Sequence, residues 1–137
     1  MIQYTDSLEG IEPEQLTGFF EGWPDQPSSQ THFRVLEGSD HTILALDIDT
    51  GRVIGFVTAI SDGALSAYIP LLEVLPSYRG RGIGTELARR MIEKLQGLYM
   101  IDVVCDEAVR PFYERMGFTP RTGMVIRNRQ RQSGADG

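Results

Sequence analysis

Apolar and polar positions alternate in short runs through the first half of the chain. His41 to Asp47, Arg52 to Ile60 and Leu65 to Leu75 each read as a strand; Asp49-Thr50-Gly51 joins the first two, and Asp62-Gly63 is a hairpin signal before the third. Ile2 to Tyr4 offers a first strand. Leu16, Phe19 and Phe20 recur at helical spacing and predict a helix over Glu12 to Glu21. A second short helix is predicted over Thr31 to Leu36, with the turn-rich loop Gly22 to Ser28 between the two. The period then changes. Ile83, Leu87, Ala88, Met91, Ile92 and Leu95 mark one face of a long helix that stops near Gly97. Tyr99 to Cys105 reads as a strand, a shorter helix follows, and Met124 to Arg127 offers a last strand.

The order β, α, α, β, β, β, α, β, α, β predicts an α+β fold, with helices on a mostly antiparallel sheet. With 137 residues, 41% of them hydrophobic, the chain suits one domain, expected over residues 1–127. Residues 128–137 are polar and rich in Arg, Gln and Gly, the composition of a disordered tail. Pro70 lies inside the run Leu65 to Leu75, where its missing N–H would spoil a central ladder. A bulge or an unpaired stretch is therefore expected there.

Between the Leu71–Leu75 run and the long helix lies Pro76-Ser77-Tyr78-Arg79-Gly80-Arg81-Gly82-Ile83-Gly84-Thr85. Three glycines at spacing two, after a strand and at a helix N-terminus, let several backbone N–H groups converge on one anion where the helix dipole also favours negative charge. A phosphate or pyrophosphate is the natural guest. A Walker A loop is excluded, because no Lys-Ser or Lys-Thr follows the last glycine. A dinucleotide fingerprint is closer, with Gly80-x-Gly82-x-x-Thr85 and Asp102 downstream, but Thr85 stands where the third glycine belongs. Arg79-x-x-Gly82-x-Gly84, preceded by Val74-x-Pro76, resembles without substitution the acetyl-CoA loop of the GNAT acyltransferase superfamily. The stretch Asp106 to Phe118, with Phe112-Tyr113 and Gly117-Phe118 in register, is similar to the second signature of that family. It departs from the signature in Asp106 for the usual Asn, in Ala108 one position early, and in Pro111.

The resemblance spans about residues 41 to 127 and implies a GNAT-type mixed sheet whose fourth and fifth strands splay apart. It implies acetyl-CoA as cosubstrate, with the pantetheine along Leu72, Glu73 and Val74 and the pyrophosphate on Arg79, Gly80, Arg81, Gly82, Ile83, Gly84 and Thr85. It also places Tyr113 beside the sulfur. Acyl transfer to an amine needs a polarised carbonyl, a deprotonated amine and a proton for the leaving thiolate. Main-chain N–H near Val74 could hold the carbonyl oxygen, and Tyr113, protonated at neutral pH, could serve the thiolate. Glu73 is the nearest candidate base, although strict alternation turns it away from Val74, and Tyr68 and Asp102 are alternates. Cys105 raises a covalent route, but no histidine is near it in sequence, so direct transfer in a ternary complex is preferred.

Charge divides the chain. Residues 1–78 hold two basic residues against twelve acidic, and residues 79–137 hold eleven against seven, within a net charge of −6. A basic second half suits coenzyme A, and an acidic first half suits a cationic acceptor and argues against nucleic acid. Glu21, Trp23 and Asp25, with Tyr68, are the candidate acceptor-binding residues, pointing to a small monoamine or diamine. The stretch Cys105 to Met124 also resembles that of plastid-type arylalkylamine N-acetyltransferases. A single cysteine and two histidines, His32 and His41, predict neither an internal disulfide nor a metal site. No apolar run is long enough for a membrane span and no secretory signal opens the chain, so a cytoplasmic enzyme, monomeric or homodimeric, is expected. Two other readings stay open: a non-catalytic acyl-CoA sensor that binds a protein partner, and a nucleotide-binding module built on Gly80-x-Gly82.

Overall fold

The computed structural model describes residues 1–135. Five strands, β1 (Ile2–Thr5), β2 (His41–Asp47), β3 (Arg52–Ser61), β4 (Ser66–Val74) and β5 (Met100–Val103), form one sheet in that order. Every pairing is antiparallel except β4 with β5. That single parallel pair requires a crossover. The long helix α2 (Ile83–Lys94) supplies it, while α1 (Ser29–Gly38) precedes β2 and α3 (Arg110–Arg115) follows β5. The predicted α+β sheet with flanking helices is what forms.

Consecutive residues of β3 assign the helices to faces. A side chain at Gly55 would meet Leu87 Cδ1 at 3.1 Å and Ile83 Cγ2 at 3.4 Å, so glycine there lets α2 lie close on the sheet. Phe56 turns the other way, into a cluster of Phe19, Phe20 and His32. The hydroxyl of Ser28 caps α1 by accepting from the Thr31 N–H.

Two predicted elements do not form. In place of a helix over Glu12 to Glu21 there is only a 3₁₀ turn at Pro13–Leu16, since Gly18 (φ +94°) and Phe20 (φ +63°) take left-handed backbone. Phe19 and Phe20 are buried all the same. Their spacing reflects core burial by a loop. Met124 to Arg127 does not join the sheet either: among the described residues β5 ends it, with no strand paired on its outer edge. Within the expected tail, Arg129–Arg131 make one 3₁₀ turn; its last two residues, 136 and 137, lie outside the described residues. The Asp62-Gly63 signal opens a four-residue loop, where the Asp62 carboxylate accepts from the N–H groups of Ala64, Leu65 and Ser66. Among the described residues no helix is long and apolar enough to cross a membrane.

Candidate active site

The site begins where β4 leaves β5. Their pairing runs from Ser66↔Met100 to Ile69↔Val103 and stops, while β4 continues to Val74. On the β3 side Tyr68 pairs with Ile60 and Leu71 with Thr58, so Ile69 and Pro70 together face one residue, Ala59. This is the bulge anticipated at Pro70. Directly opposed residues share a face, so the bulge brings Tyr68, Leu71 and Glu73 to the Phe56 side and leaves Leu72 and Val74 on the α2 side.

Backbone direction follows from the same ladder. Leu75 N–H donates to the Ile54 carbonyl at 2.8 Å. By antiparallel alternation Val74 and Leu72 then turn their N–H and C=O groups away from β3, into the splay. The Val74 carbonyl accordingly accepts from Arg79 Nε at 2.9 Å. A substrate arm laid in the splay meets unpaired strand edge.

Across the splay lies the N-terminus of α2. Gly82 caps it with left-handed backbone (φ +79°) and no side-chain cap hydrogen bond, and the first internal bond runs from Glu86 N–H to the Gly82 carbonyl at 3.0 Å. The N–H groups of Ile83, Gly84 and Thr85 are thus left to face outward. A Cβ at Gly80 or Gly82 would meet nothing within 4 Å, so both glycines border open space. Strand edge and helix end line one cavity of about 550 Å³, together with Tyr78, Arg79, Val109, Phe112, Tyr113 and Arg115. Donors at a helix N-terminus and a flanking Arg115 fit a pyrophosphate, and the splay fits an amide-bearing arm, so the residues present suit coenzyme A.

Tyr113 is buried, with its ring edge-on to Phe112 at 5.0 Å and to Phe118 at 5.5 Å. Its hydroxyl has no protein hydrogen-bond partner among the described residues, although Tyr113 lines the cavity. Burial pushes the phenol up to about 12, with Cys105 and Tyr68 adding to the effect. The group therefore stays protonated at any working pH.

Glu73 sits at the mouth with both oxygens engaged. It accepts from the Phe20 N–H at 2.8 Å and from the Glu21 N–H at 3.3 Å, which fixes the left-handed turn at Phe20. The Glu21 carboxylate in turn meets Arg79 Nη2 at 2.9 Å. Arg79, expected on a phosphate, thus ties the end of β4 to the 20–21 loop. Arg81 stacks over the Tyr78 ring at 5.1 Å, and the Tyr78 hydroxyl donates to Asp47, which lowers the carboxyl and raises the phenol.

The predicted acceptor residues are not among the cavity's walls. Trp23 packs on Phe20 at 4.9 Å and is 37% exposed, the Asp25 N–H donates to Gln132, and Tyr68, near enough to influence Tyr113, is half-exposed. Asp102 pairs with Tyr68 in register, and Cys105 is exposed. Tyr78, Val109, Phe112 and Arg115 were not predicted as site residues. The spacing of Val109, Phe112 and Tyr113, one face of a helix, was the signal available for two of them.

The sequence profile of the acetyltransferase (GNAT) family matches residues 8–118. An Arabidopsis thaliana protein named GCN5-related N-acetyltransferase 3, chloroplastic, is 40% identical over 70 residues, covering 50% of this chain and 30% of that protein. Its namesake GCN5-related N-acetyltransferase 1, chloroplastic, is 30% identical over 133 residues, covering 91% of this chain and 67% of that one. The chain therefore spans about a third of the first relative's length and two thirds of the second's. A crystal structure of a candidate acetyltransferase from Deinococcus radiodurans R1 superposes with TM-score 0.95 at 48% identity, covering 99% of this chain and 94% of that one.

Proposed function

Because the chain belongs to the GNAT acetyltransferase family, we propose that it is an N-acetyltransferase moving an acetyl group from acetyl-CoA to a small primary amine by direct attack in a ternary complex. The observation that carries this reading is one cavity in which the unpaired edge of Leu72 and Val74, the open first turn of α2 and the unpartnered Tyr113 hydroxyl meet.

Acetyl-CoA supplies an activated acetyl thioester. The chain's own groups do the rest. Ile83, Gly84 and Thr85 N–H, with Arg115 beside them, hold the pyrophosphate, and the Leu72 and Val74 backbone holds the extended arm. The Val74 N–H steadies the carbonyl oxygen, where one such donor is worth on the order of 3 kcal/mol. As the nitrogen–carbon bond forms and the carbon–sulfur bond breaks, Tyr113 donates a hydrogen bond to the sulfur. With its phenol near 12, it is a weaker acid than a thiol of about 8.5. The proton that finally rests on sulfur therefore comes from the attacking nitrogen, passed through Glu73 or solvent, and Tyr113 ends the reaction protonated.

The acceptor enters from the opposite side, over the loop that Glu73 holds. Asp25 and the exposed Trp23 ring, next to a Glu21 carboxylate already paired with Arg79, give that side the character to hold a cation, where an indole face contributes roughly 0.5–2 kcal/mol.

Coenzyme A release measured with a panel of amines tests the reading. Tyr113→Phe, which removes one hydrogen-bond donor, is expected to lower kcat by roughly 10² to 10³ while leaving acetyl-CoA affinity unchanged. Tight binding of acetyl-CoA without turnover of any amine would make the chain a sensor instead.

A further inference from the structure

We propose that Cys105 is a redox modification site: its thiol exchanges with the disulfide of oxidised coenzyme A seated in the cavity, leaving one coenzyme A attached through a mixed disulfide. The proposal rests on the reading of that cavity as a coenzyme A site. Cys105 is the chain's one cysteine, it is exposed, and the proposed acetyl transfer gives it no part.

The fold brings this sulfur to the cavity. The β4–β5 ladder ends at Ile69↔Val103, so Cys105 lies two residues past the point where the splay opens. Ile69 faces Ala59, which shares the parity of Gly55 and so lies on the α2 side of the sheet. Alternation carried on from Val103 turns Cys105 to that same side, the side of Leu72 and Val74. The chain then enters the cavity wall at once. The Asp106 carbonyl accepts from the Val109 N–H at 2.9 Å, and Val109, Phe112 and Tyr113 line the cavity.

Tyr113 marks where a ligand atom belongs. It is only 9% exposed, yet its hydroxyl has no protein partner among the described residues and it borders the cavity. A buried donor without a partner is a place for a polar atom from outside the chain. In the proposed transfer that atom is the sulfur of the coenzyme. Cys105 is near enough to Tyr113 to raise its phenol, so the thiol of the chain and the sulfur of the ligand meet at one end of one cavity.

The exchange balances without a further oxidant. The Cys105 thiolate attacks one sulfur of coenzyme A disulfide; the protein–coenzyme S–S bond forms as the ligand's own S–S bond breaks. The second coenzyme A leaves as a thiolate and takes up the proton that Cys105 released. A small dithiol reverses the step. Phosphates held on the α2 end make the attack a reaction within a complex, so coenzyme A disulfide gains over disulfides that the cavity does not hold. The attached nucleotide then keeps acetyl-CoA out, and the chain is switched off while coenzyme A is oxidised.

Intact-mass spectrometry reads the adduct without any turnover. The chain is expected to gain the mass of one coenzyme A less two hydrogens, on the order of 100-fold faster than it reacts with oxidised glutathione at the same concentration. Excess acetyl-CoA, or Gly82→Val, should slow the reaction to the glutathione rate. Cys105→Ser should form no adduct and, by calorimetry, bind acetyl-CoA as wild type does, because the residue is exposed and outside the cavity's walls. The modified wild-type chain should bind no acetyl-CoA until it is reduced. If the unmodified chain binds acetyl-CoA, an adduct that forms no faster than with glutathione, or that excess acetyl-CoA does not slow, overturns the proposal and leaves the coenzyme A site standing. An unmodified chain that binds no acetyl-CoA overturns both.

Discussion

His32 offers a quantitative test of how the core beneath the 20–25 loop is built. Its ring is 1% exposed, 4.4 Å from Phe56, 4.9 Å from Phe20 and 5.2 Å from Phe19, with neither nitrogen hydrogen-bonded. Burial holds its pKa at about 4 against an ordinary 6.5. A base whose folded pKa is depressed favours the fold fully above its unfolded value, and that contribution is lost as pH falls from 6.5 toward 4. The full span is about 3 kcal/mol, of which roughly 2.5 is gone by pH 4.5. His32→Leu removes the titration and keeps an apolar group of similar volume. At pH 7.5 it relieves two unpaired nitrogens, about 1–3 kcal/mol each, and gives up ring contacts of about 0.5–1.5 kcal/mol, so the neutral-pH difference has no large bias either way. The pH dependence does. Urea titrations of both proteins at pH 7.5 and 4.5 cancel the carboxylates they share. The variant should gain about 2.5 kcal/mol on wild type between those pH values, a shift of roughly 1–2 M in relative midpoint. Stability curves that stay parallel from pH 7.5 to 4.5 would refute a neutral, unpartnered His32.

Other outcomes follow from the site. Gly82→Val forces a β-branched residue to φ +79° without a steric neighbour, so the chain should fold, less stable by on the order of 1–3 kcal/mol, yet lose coenzyme A binding by calorimetry; undiminished affinity would remove the loop from the phosphate site. Glu73→Gln separates two roles: loss of the acidic limb of the pH–rate profile marks a base, whereas a raised amine KM with an unchanged profile marks a loop anchor. Trp23→Ala should raise the amine KM and leave acetyl-CoA affinity alone, and a panel in which glutamate outruns tryptamine and putrescine would count against a cationic acceptor.

The sheet, α2 and the glycine loop were legible in the sequence because each announces itself locally: alternation, a 3.6-residue period, and left-handed positions filled by glycine. The bulge was legible from Pro70 alone. What escaped was set by distant partners. Phe19 and Phe20 keep helical spacing, but the Glu73 carboxylate, more than fifty residues away, holds Phe20 in a turn no propensity favours. Arg79 reads as a phosphate ligand until Val74 and Glu21 are seen around it. Met124 to Arg127 has a strand's composition without a neighbour in its own chain.

The contacts of Arg79 close a ring. Its guanidinium joins the Val74 carbonyl to Glu21, the Glu21 N–H joins Glu73, and Glu73 is bonded through the backbone to Val74. One side of the ring lines the cavity and the other carries the 20–21 loop. A phosphate that draws Arg79 away from Glu21 changes the loop's freedom, and by thermodynamic reciprocity whatever the first ligand does to the affinity of the second, the second does equally to the first. The affinities of the two proposed ligands would thereby be coupled through a single arginine.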